Sequence, residues 1–495
     1  MRPWRNRQTR TFEGRVGDRT GSSPVGRTMI NVGIKISSSV FSLLLLCIDS
    51  NIHVQNRLKE GFDMYLWEND VRMPEFPRLK RDTETEVLII GGGIAGILCA
   101  HMLQKRGVDH LLLEGRRICR GTTRGTTAVI TAQHGSIYTK LIKKFGREKA
   151  KVYLDANMAA VGIFEKMADK IDCDFVIKPS YVYSRNENRC LKVEAAVARE
   201  LGAAAAFTED TGLPFETAGA VRFDNMAQFH PLKFLAEISR SLNIRENTFV
   251  EGVKGNTAYT KGGKIKAGKI VFASHYPFVN TRGLYPLKLY QKRSFAIALE
   301  NAPQLAGTYA EDSDRGIYLR NYRDLLIIGG GDHRTGASDD GFRIVREFVA
   351  EHFPDAKKTY AWAAQDCMSL DDVPYAGKYC LSEDNWYVIT GFNEWGMTSA
   401  MNAAVVIADM ITGQENEFAK AFAPDRSIAS MQLLNNIGTT LKNFCVPGGK
   451  RCTHLGCRLN ENAEEKSWDC QCHGSRFDFD GHVADNPAMK NLSVH

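Results

Sequence analysis

The chain has 495 residues, of which 43% are hydrophobic and 24% charged, with a formal net charge of +7 at pH 7. This is the composition of a folded globular protein too long for a single core, which excludes a disordered chain or a small disulfide-rich scaffold. Nor does the charge point to nucleic acid: residues 1–63 hold ten Lys/Arg against five acids, so the remaining body is nearly neutral.

That front segment reads poorly as protein. "GSSPV" (Gly21–Val25) back-translates to a GGTTCGAGTCCC-type sequence, the T-arm of a transfer-RNA gene. "KEG" (Lys59–Gly61) can be AAGGAGG, a ribosome-binding site two codons ahead of Met64. Translation is therefore expected to start at Met64, with residues 1–63 an untranslated upstream extension; a disordered basic arm and a targeting sequence are the other readings. The apolar run "VFSLLLLCI" (Val40–Ile48) is about half as long as a bilayer span. It lies too far along the chain for a secretion signal, and no small-residue cleavage site follows closely. No integral membrane segment is expected, and the expected compartment is the cytoplasm.

"TEVLIIGGGIAGILCAHMLQKRGVDHLLLEG" runs from Thr85 to Gly115. Val87–Ile90 reads as a buried parallel strand. Gly91, Gly93 and Gly96 form GxGxxG, Ile94 and Ala95 open a helix that ends by Gly107, and a second apolar run ends on Glu114, 18 residues past Gly96. The first glycine permits the tight turn, the second lets backbone approach a pyrophosphate, and the third lets helix pack on sheet. The helix N-terminus faces the phosphates and Glu114 accepts from a ribose diol. A dinucleotide site is predicted here. "IIGGGDHRTG" (Ile327–Gly336) has glycines but no third one in register and no ribose acid after it, so it is not a second such site. Between these, Glu148–Ile171 and Ala227–Leu242 show helical periodicity and read as scaffold.

The first of these stretches resembles the start of the glycine-oxidase/D-amino-acid-oxidase-like FAD-dependent oxidoreductases. "RRICRGTTRGTTAVITAQHG" (Arg116–Gly135) is similar to the segment after the ribose acid in that class, and "KIVFASHYPF" (Lys269–Phe278) to the strand that returns beside the dinucleotide. "NWYVITGFNEWGMTSAMNAAVVIADMITG" (Asn385–Gly413) is similar to the closing strand–turn–helix. The resemblance covers roughly Leu66 to Arg426. It implies FAD as cofactor, with Thr127, Gly391, Gly396, Met397 and Thr398 among its contacts and the turn from Gly391 to Thr398 offering backbone amides to the flavin ring. It also implies an α/β Rossmann-type FAD-binding domain from segments near 82–150, 266–280 and 360–415, with a mostly antiparallel substrate domain between them, all within residues 64–426. "GIYLRNYRDLLIIGGGDHRTG" (Gly316–Gly336) resembles the strand pair lining the flavin face. There Tyr318 and Arg320 are candidates to orient a substrate carboxylate, His333 a base or flavin neighbour, and Trp395 a pocket wall. The bland readings are a core tyrosine, an ion pair, a loop histidine and a packing indole.

Residues 427–447 read as a linker, and Gly448-Gly449 as the turn feeding a last domain, 448–495. Four of the twelve cysteines fall between Cys452 and Cys472. Cys452-x-His454 and Cys470-x-x-His473 each pair one thiolate with one imidazole. Zinc could accept this set, although zinc fingers keep like ligands together. A [2Fe–2S] cluster with both sulfurs on one iron and both imidazoles on the other is the better match. "CTHLGC" and "CHGSRFD" resemble the two boxes of Rieske proteins such as those of cytochrome bc complexes. The resemblance implies a Cys457–Cys472 disulfide between the loops and a Ser475 hydroxyl donating to a cluster sulfide. It also implies a lowered potential, because Phe477 stands where high-potential members carry a tyrosine. Only 25 residues separate Arg426 from Cys452, too few for the usual base sheet, so a small all-β cluster lobe leaning on the flavin domain is expected.

The two centres together predict an FAD-dependent oxidoreductase. A small amine or amino-acid-like electron donor would give hydride to flavin, and electrons would pass singly through the cluster to an unidentified one-electron acceptor. The alternatives are a reductase running in the opposite direction and a non-catalytic electron-transfer protein.

Overall fold

The structure, a computed structural model, describes residues 65–337 and 340–493. The expectations for residues 1–63 lie outside the described residues. Three sheets organise the rest. In the first, Thr83–Ile90 lies between Gly263–Phe272 and His110–Leu113, and both pairings are parallel. Trp386–Thr390 continues the parallel order beyond Gly263–Phe272, and Ile244–Arg245 extends it beyond His110–Leu113. An antiparallel edge strand, Tyr375–Lys378, and a hairpin, Val250–Lys254 with Thr257–Thr260, complete the eight strands. The apolar run Val87–Ile90 is buried throughout because helices cover this parallel sheet. Helix Ile94–Lys105 is apolar on nearly every side and packs on helix Gly396–Thr412.

The second sheet has nine strands and is antiparallel except where Thr308–Glu311 runs beside Val176–Ser184. At one end Lys357–Ser369 pairs with Leu289–Glu300, which pairs with Leu325–Arg334 and then Tyr318–Tyr322. The FAD-binding α/β fold with an antiparallel-sheet domain is thus present as expected. "IIGGG" lies inside the strand Leu325–Arg334, not at a strand-to-helix turn, which agrees with its exclusion as a nucleotide motif. The periodic segment from Glu148 is helix Arg147–Ala168. Of the segment Ala227–Leu242, Ala227 and Gln228 finish a strand, and the helix starts at Pro231, capped by His230 accepting from Lys233 N–H at 3.1 Å.

The stretch read as a linker is a helix, Met431–Cys445, started by Ser430 Oγ accepting from Leu433 N–H at 3.1 Å. Its apolar spacing was legible, but two Thr, a Gly and three Asn masked it. The third sheet is a meander of four three-residue strands, Asn460–Asn462, Ser467–Asp469, Arg476–Asp478 and Val483–Asp485. All four follow the first cysteine–histidine loop, so this lobe is all-β and small, and no strand among the described residues lies between Gly396 and Arg451.

Candidate redox site

Each glycine of the fingerprint answers to a measurable crowding. Gly91 has φ +116°, and a Cβ there would stand 2.4 Å from the Ala273 carbonyl oxygen, which ends the neighbouring parallel strand. A Cβ on Gly96 would stand 1.9 Å from Gly91 O, so helix and turn close on each other only through this glycine. Gly93 differs: a Cβ there would meet a single atom, Thr123 Oγ1 at 3.2 Å, because its backbone faces open space. That open cradle at a helix N-terminus, at the carboxyl ends of parallel strands, fits a dinucleotide pyrophosphate. Ile94 N–H donates to Thr123 Oγ1 at 3.0 Å, a contact sequence reasoning missed because Thr123 lies in a threonine-rich stretch with no positional signal.

Glu114 accepts from Gly92 N–H at 2.7 Å and Arg116 N–H at 2.8 Å, so the carboxylate is fixed before any ribose arrives. Burial raises its pKa, and the two N–H donors work in the other direction. Glu246, also missed, is buried and accepts from Ile118 N–H at 2.8 Å and Phe76 N–H at 3.1 Å while pairing with Arg117. At the far end of the site, the turn after Trp386–Thr390 holds Gly391, Asn393 and Glu394 at positive φ. Asn393 fixes it, accepting from Ser369 N–H at 2.7 Å and donating to Gly391 O at 2.8 Å. Gly396, Met397 and Thr398 then start a helix, and Thr398 Oγ1 donates to Thr131 O at 3.0 Å.

The four candidate catalytic residues part company. Trp395 stacks on His134 with centroids 5.1 Å apart, and burial holds that histidine neutral, its pKa pushed down to about 3. Tyr318 donates to Phe295 O at 3.3 Å and lies close enough to feel Asp332, Asp366 and Glu394. Arg320 keeps one guanidinium nitrogen, Nη2, without a hydrogen-bond partner among the described residues. It is buried, and its Nη1 donates to Thr127 O at 2.6 Å and Ala128 O at 2.8 Å, pinning the segment that contains Thr127. His333 stacks on Phe295 at 5.3 Å, in the apolar layer against helix Gly341–His352, with Nδ1 beside Gly331 O. Plain alternation from Leu326 and Ile328 would put Asp332 in that layer; the irregular register opposite Phe295, with Gly330 and Gly331 at positive φ, turns His333 there instead, away from the role expected of a base.

The two cysteine–histidine loops close alike. Cys452 N–H donates to Cys457 O at 2.9 Å and Gly456 N–H to Cys452 O at 2.9 Å. In the second loop Cys470 N–H donates to Ser475 O and Gly474 N–H to Cys470 O, each at 2.8 Å. Gly456 and Gly474 both have positive φ. The imidazoles of His454 and His473 lie 5.0 Å apart, and the Nδ1 atoms of both are buried without a hydrogen-bond partner among the described residues. Buried unpartnered nitrogens beside the buried thiols of Cys452 and Cys470 are what a cluster with two sulfur and two nitrogen ligands needs. Cys457 and Cys472 are free thiols whose sulfurs lie within 4.8 Å of each other. Ser475 Oγ accepts from Ala488 N–H at 3.0 Å, and Phe477 is buried among the four cysteines.

The lobe is fastened to the flavin-type body by its histidine edge. Gln291 donates to His473 O at 2.8 Å and Asn486 O at 2.9 Å, and accepts from Gln365 Nε2 at 2.9 Å. Gln365 also donates to Gly474 O at 2.8 Å. Arg334 donates to Gln471 O, Cys472 O and Asn436 Oδ1, each at 2.8 Å. His454 Nε2 lies 2.8 Å from Asn280 Oδ1, and Tyr276 stands edge-on to both imidazoles at 6.2 and 6.4 Å. A buried ion pair, Arg293 with Glu465, adds to the seam. Tyr276 and Asn280 follow directly on Gly263–Phe272, the strand that abuts the glycine turn, so the two candidate centres share one neighbourhood.

Comparison with known proteins agrees with this geometry. Residues 86–410 match the FAD dependent oxidoreductase family, and residues 442–495 match the Rieske [2Fe-2S] domain. A putative Rieske 2Fe-2S iron-sulfur protein, YhfW of Bacillus subtilis, is 31% identical over 88% of this chain and 98% of its own length. The ubiquinol-cytochrome c reductase iron-sulfur subunit of Rickettsia typhi is 50% identical over 9% of this chain and 25% of its own. Among solved structures, glycine oxidase from Geobacillus kaustophilus superposes with a TM-score of 0.60 at 19% identity, over 70% of this chain and 100% of that one. L-proline dehydrogenase from P. horikoshii superposes with a TM-score of 0.59 at 17% identity, over 70% and 98%. Open cradle, unpartnered imidazole nitrogens and both family matches converge: this chain belongs to the FAD-dependent oxidoreductases and carries a Rieske [2Fe-2S] domain at its C-terminal end.

Proposed function

We propose that the chain oxidises a small amine or amino-acid-like compound, with FAD as hydride acceptor and the Rieske cluster as the one-electron outlet to a separate acceptor. FAD supplies two-electron acceptance when bound, and the cluster supplies single-electron transfer. The cradle at Gly91, Gly93 and Gly96 with Glu114 would hold the nucleotide, and Cys452, His454, Cys470 and His473 would hold the iron. The observation that carries the reading is the inward-facing histidine edge, with Tyr276 set against both rings. A cluster serving an outside partner alone has no reason to turn that edge to the flavin side.

The chain's own residues arrange the rest. Gln291, Gln365 and Arg334 fix the distance between centres, and Trp395 with neutral His134 walls the substrate side. Buried free thiols at Cys99, Cys119, Cys173 and Cys367 suit the reducing cytoplasm. Among the described residues no helix is long and apolar enough to cross a membrane. Cys457 and Cys472 are close enough to join as a disulfide in the buried seam between loops.

The test is anaerobic mixing of the loaded protein with a panel of amines and amino acids, followed by visible absorbance and by electron paramagnetic resonance. Flavin bleaching should come first and the reduced-cluster signal second. If flavin bleaches only after an external donor has reduced the iron, the chain runs as a reductase and the proposed direction is wrong.

A further inference from the structure

Lys292 and Asp366 are direct partners across the ladder of Leu289–Glu300 and Lys357–Ser369, and Ser294 and Ala364 are the next partners on the same face. The opposite face, with Phe295 and Ala363, packs on helix Gly341–His352. Gly125, in the turn Thr122–Gly125, backs onto Ala364: a Cβ there would lie 3.0 Å from Ala364 Cβ. The face bearing Lys292 and Asp366 is therefore the one turned to the dinucleotide segment. Ser294 lies within hydrogen-bonding reach of both Asp332 and Asp366, and Glu394 stands 3.5 Å from Lys292 Nζ. Glu394 belongs to the turn beyond the carboxyl end of Trp386–Thr390, the side of a parallel sheet where ligands bind.

Three carboxylates thus converge on one lysine. A second observation is independent of that count. Asp332 is 8% exposed, and its Oδ1 has no hydrogen-bond partner among the described residues. A buried, unpartnered carboxylate oxygen is costly and is relieved by an incoming N–H donor, most of all a charged one. Burial and then the nearby Glu394 push the Asp366 carboxyl up to about 7, a strain that a cation relieves. Of the arginines on the surrounding strands, Arg293 is engaged with Glu465 and Arg334 with the cluster lobe, whereas Arg320 gives Nη1 to main-chain carbonyls and keeps Nη2 buried without a partner among the described residues. The acids therefore account for the ammonium end of a substrate and say nothing against a carboxylate at its other end.

We infer that the substrate's amine is held as a cation by Asp332, Asp366 and Glu394; this rests on the amine-oxidation reading above. The occupant would displace Lys292 Nζ as the partner of these acids.

The test uses the FAD- and cluster-loaded protein and two non-oxidisable probes of similar shape, tert-butylammonium and pivalate, titrated against the visible flavin band. Tert-butylammonium has no hydrogen on the carbon bearing nitrogen, so binding is read without turnover. It should perturb the band saturably, and pivalate should not compete with it. Glu394→Gln and Asp366→Asn should each weaken it by about tenfold. Lys292→Met, which removes the resident cation, should tighten it, a gain that a merely damaged fold would not produce. Saturable pivalate binding without tert-butylammonium binding overturns the inference, as does unchanged affinity in both carboxylate variants. Flavin bleaching by amines that is unchanged in both carboxylate variants also overturns it while leaving amine oxidation intact. Saturable tert-butylammonium binding with no amine able to bleach the flavin sustains the cation site and ends the oxidation reading.

Discussion

Replacing Gln291 by Glu keeps the size of the side chain and removes both of its donors. In the native protein those donors hold His473 O at 2.8 Å and Asn486 O at 2.9 Å, and the side-chain oxygen accepts from Gln365 and lies 3.0 Å from His275 Nε2. Leaving two buried carbonyls unpartnered costs about 1–3 kcal/mol each, so Gln291→Glu should loosen the lobe by about 3 kcal/mol. The new carboxyl has one escape: protonated, it can still donate to one of the carbonyls. Its pKa in the folded state is then raised above the unfolded value of about 4.3. Stability from the protonated form is present below that value and lost as pH rises, so the defect should be smaller at pH 5 than at pH 8. Amide hydrogen exchange in the loaded protein is the assay. A local loss of about 3 kcal/mol speeds exchange roughly a hundredfold in residues 470–478. Unchanged exchange there at pH 8 would show that the lobe does not depend on Gln291, and the account of the seam would be wrong.

Three further outcomes are expected. Gly96→Ala places a Cβ 1.9 Å from Gly91 O, and at about 3 kcal/mol of overpacking flavin retention after gel filtration should fall roughly a hundredfold; full retention would contradict the assignment of the turn. Phe477→Tyr adds a hydroxyl among the four buried cysteines, and a bond worth about 1–2 kcal/mol to the reduced cluster should raise its midpoint by about 40–90 mV in a redox titration. His134 is kept neutral by burial, with its pKa down at about 3. The unfolded chain binds that proton more readily, so stability should fall as pH drops from about 6.5 toward 3, by up to roughly 4 kcal/mol, and denaturant titrations of His134→Gln should show a flatter fall.

The dinucleotide turn was legible in the sequence because its requirements are local. A strand, three glycines at fixed spacing and an acid at the next strand's end all fall within Thr85–Gly115. The proposed cluster ligands were legible for the same reason: two loops of six residues carry all four. What stayed hidden depends on registry between distant strands. Gln291 and Gln365 look like unremarkable polar residues until strand pairing sets them under His473 and Gly474. Asp332 was passed over for its neighbour His333, since nothing in "GGGDHR" tells which of two adjacent side chains faces the site. That Arg320 spends its Nη1 on two carbonyls was hidden because they come from a segment almost two hundred residues earlier. The helix Met431–Cys445 was obscured by weak helix formers on its polar side.

The iron-binding lobe has no floor of its own. The carbonyls of Gln471, Cys472, His473 and Gly474 are satisfied by Arg334, Gln291 and Gln365, residues of the other fold. Cut away, the lobe would expose that whole row, and so it is not a cassette that could be moved intact to a foreign host. The arrangement also orders biogenesis. Once seated, the loops have Tyr276 and Asn280 against their histidine edge, so a lobe emptied and refilled in place should take up iron and sulfide more slowly than one loaded before it docks.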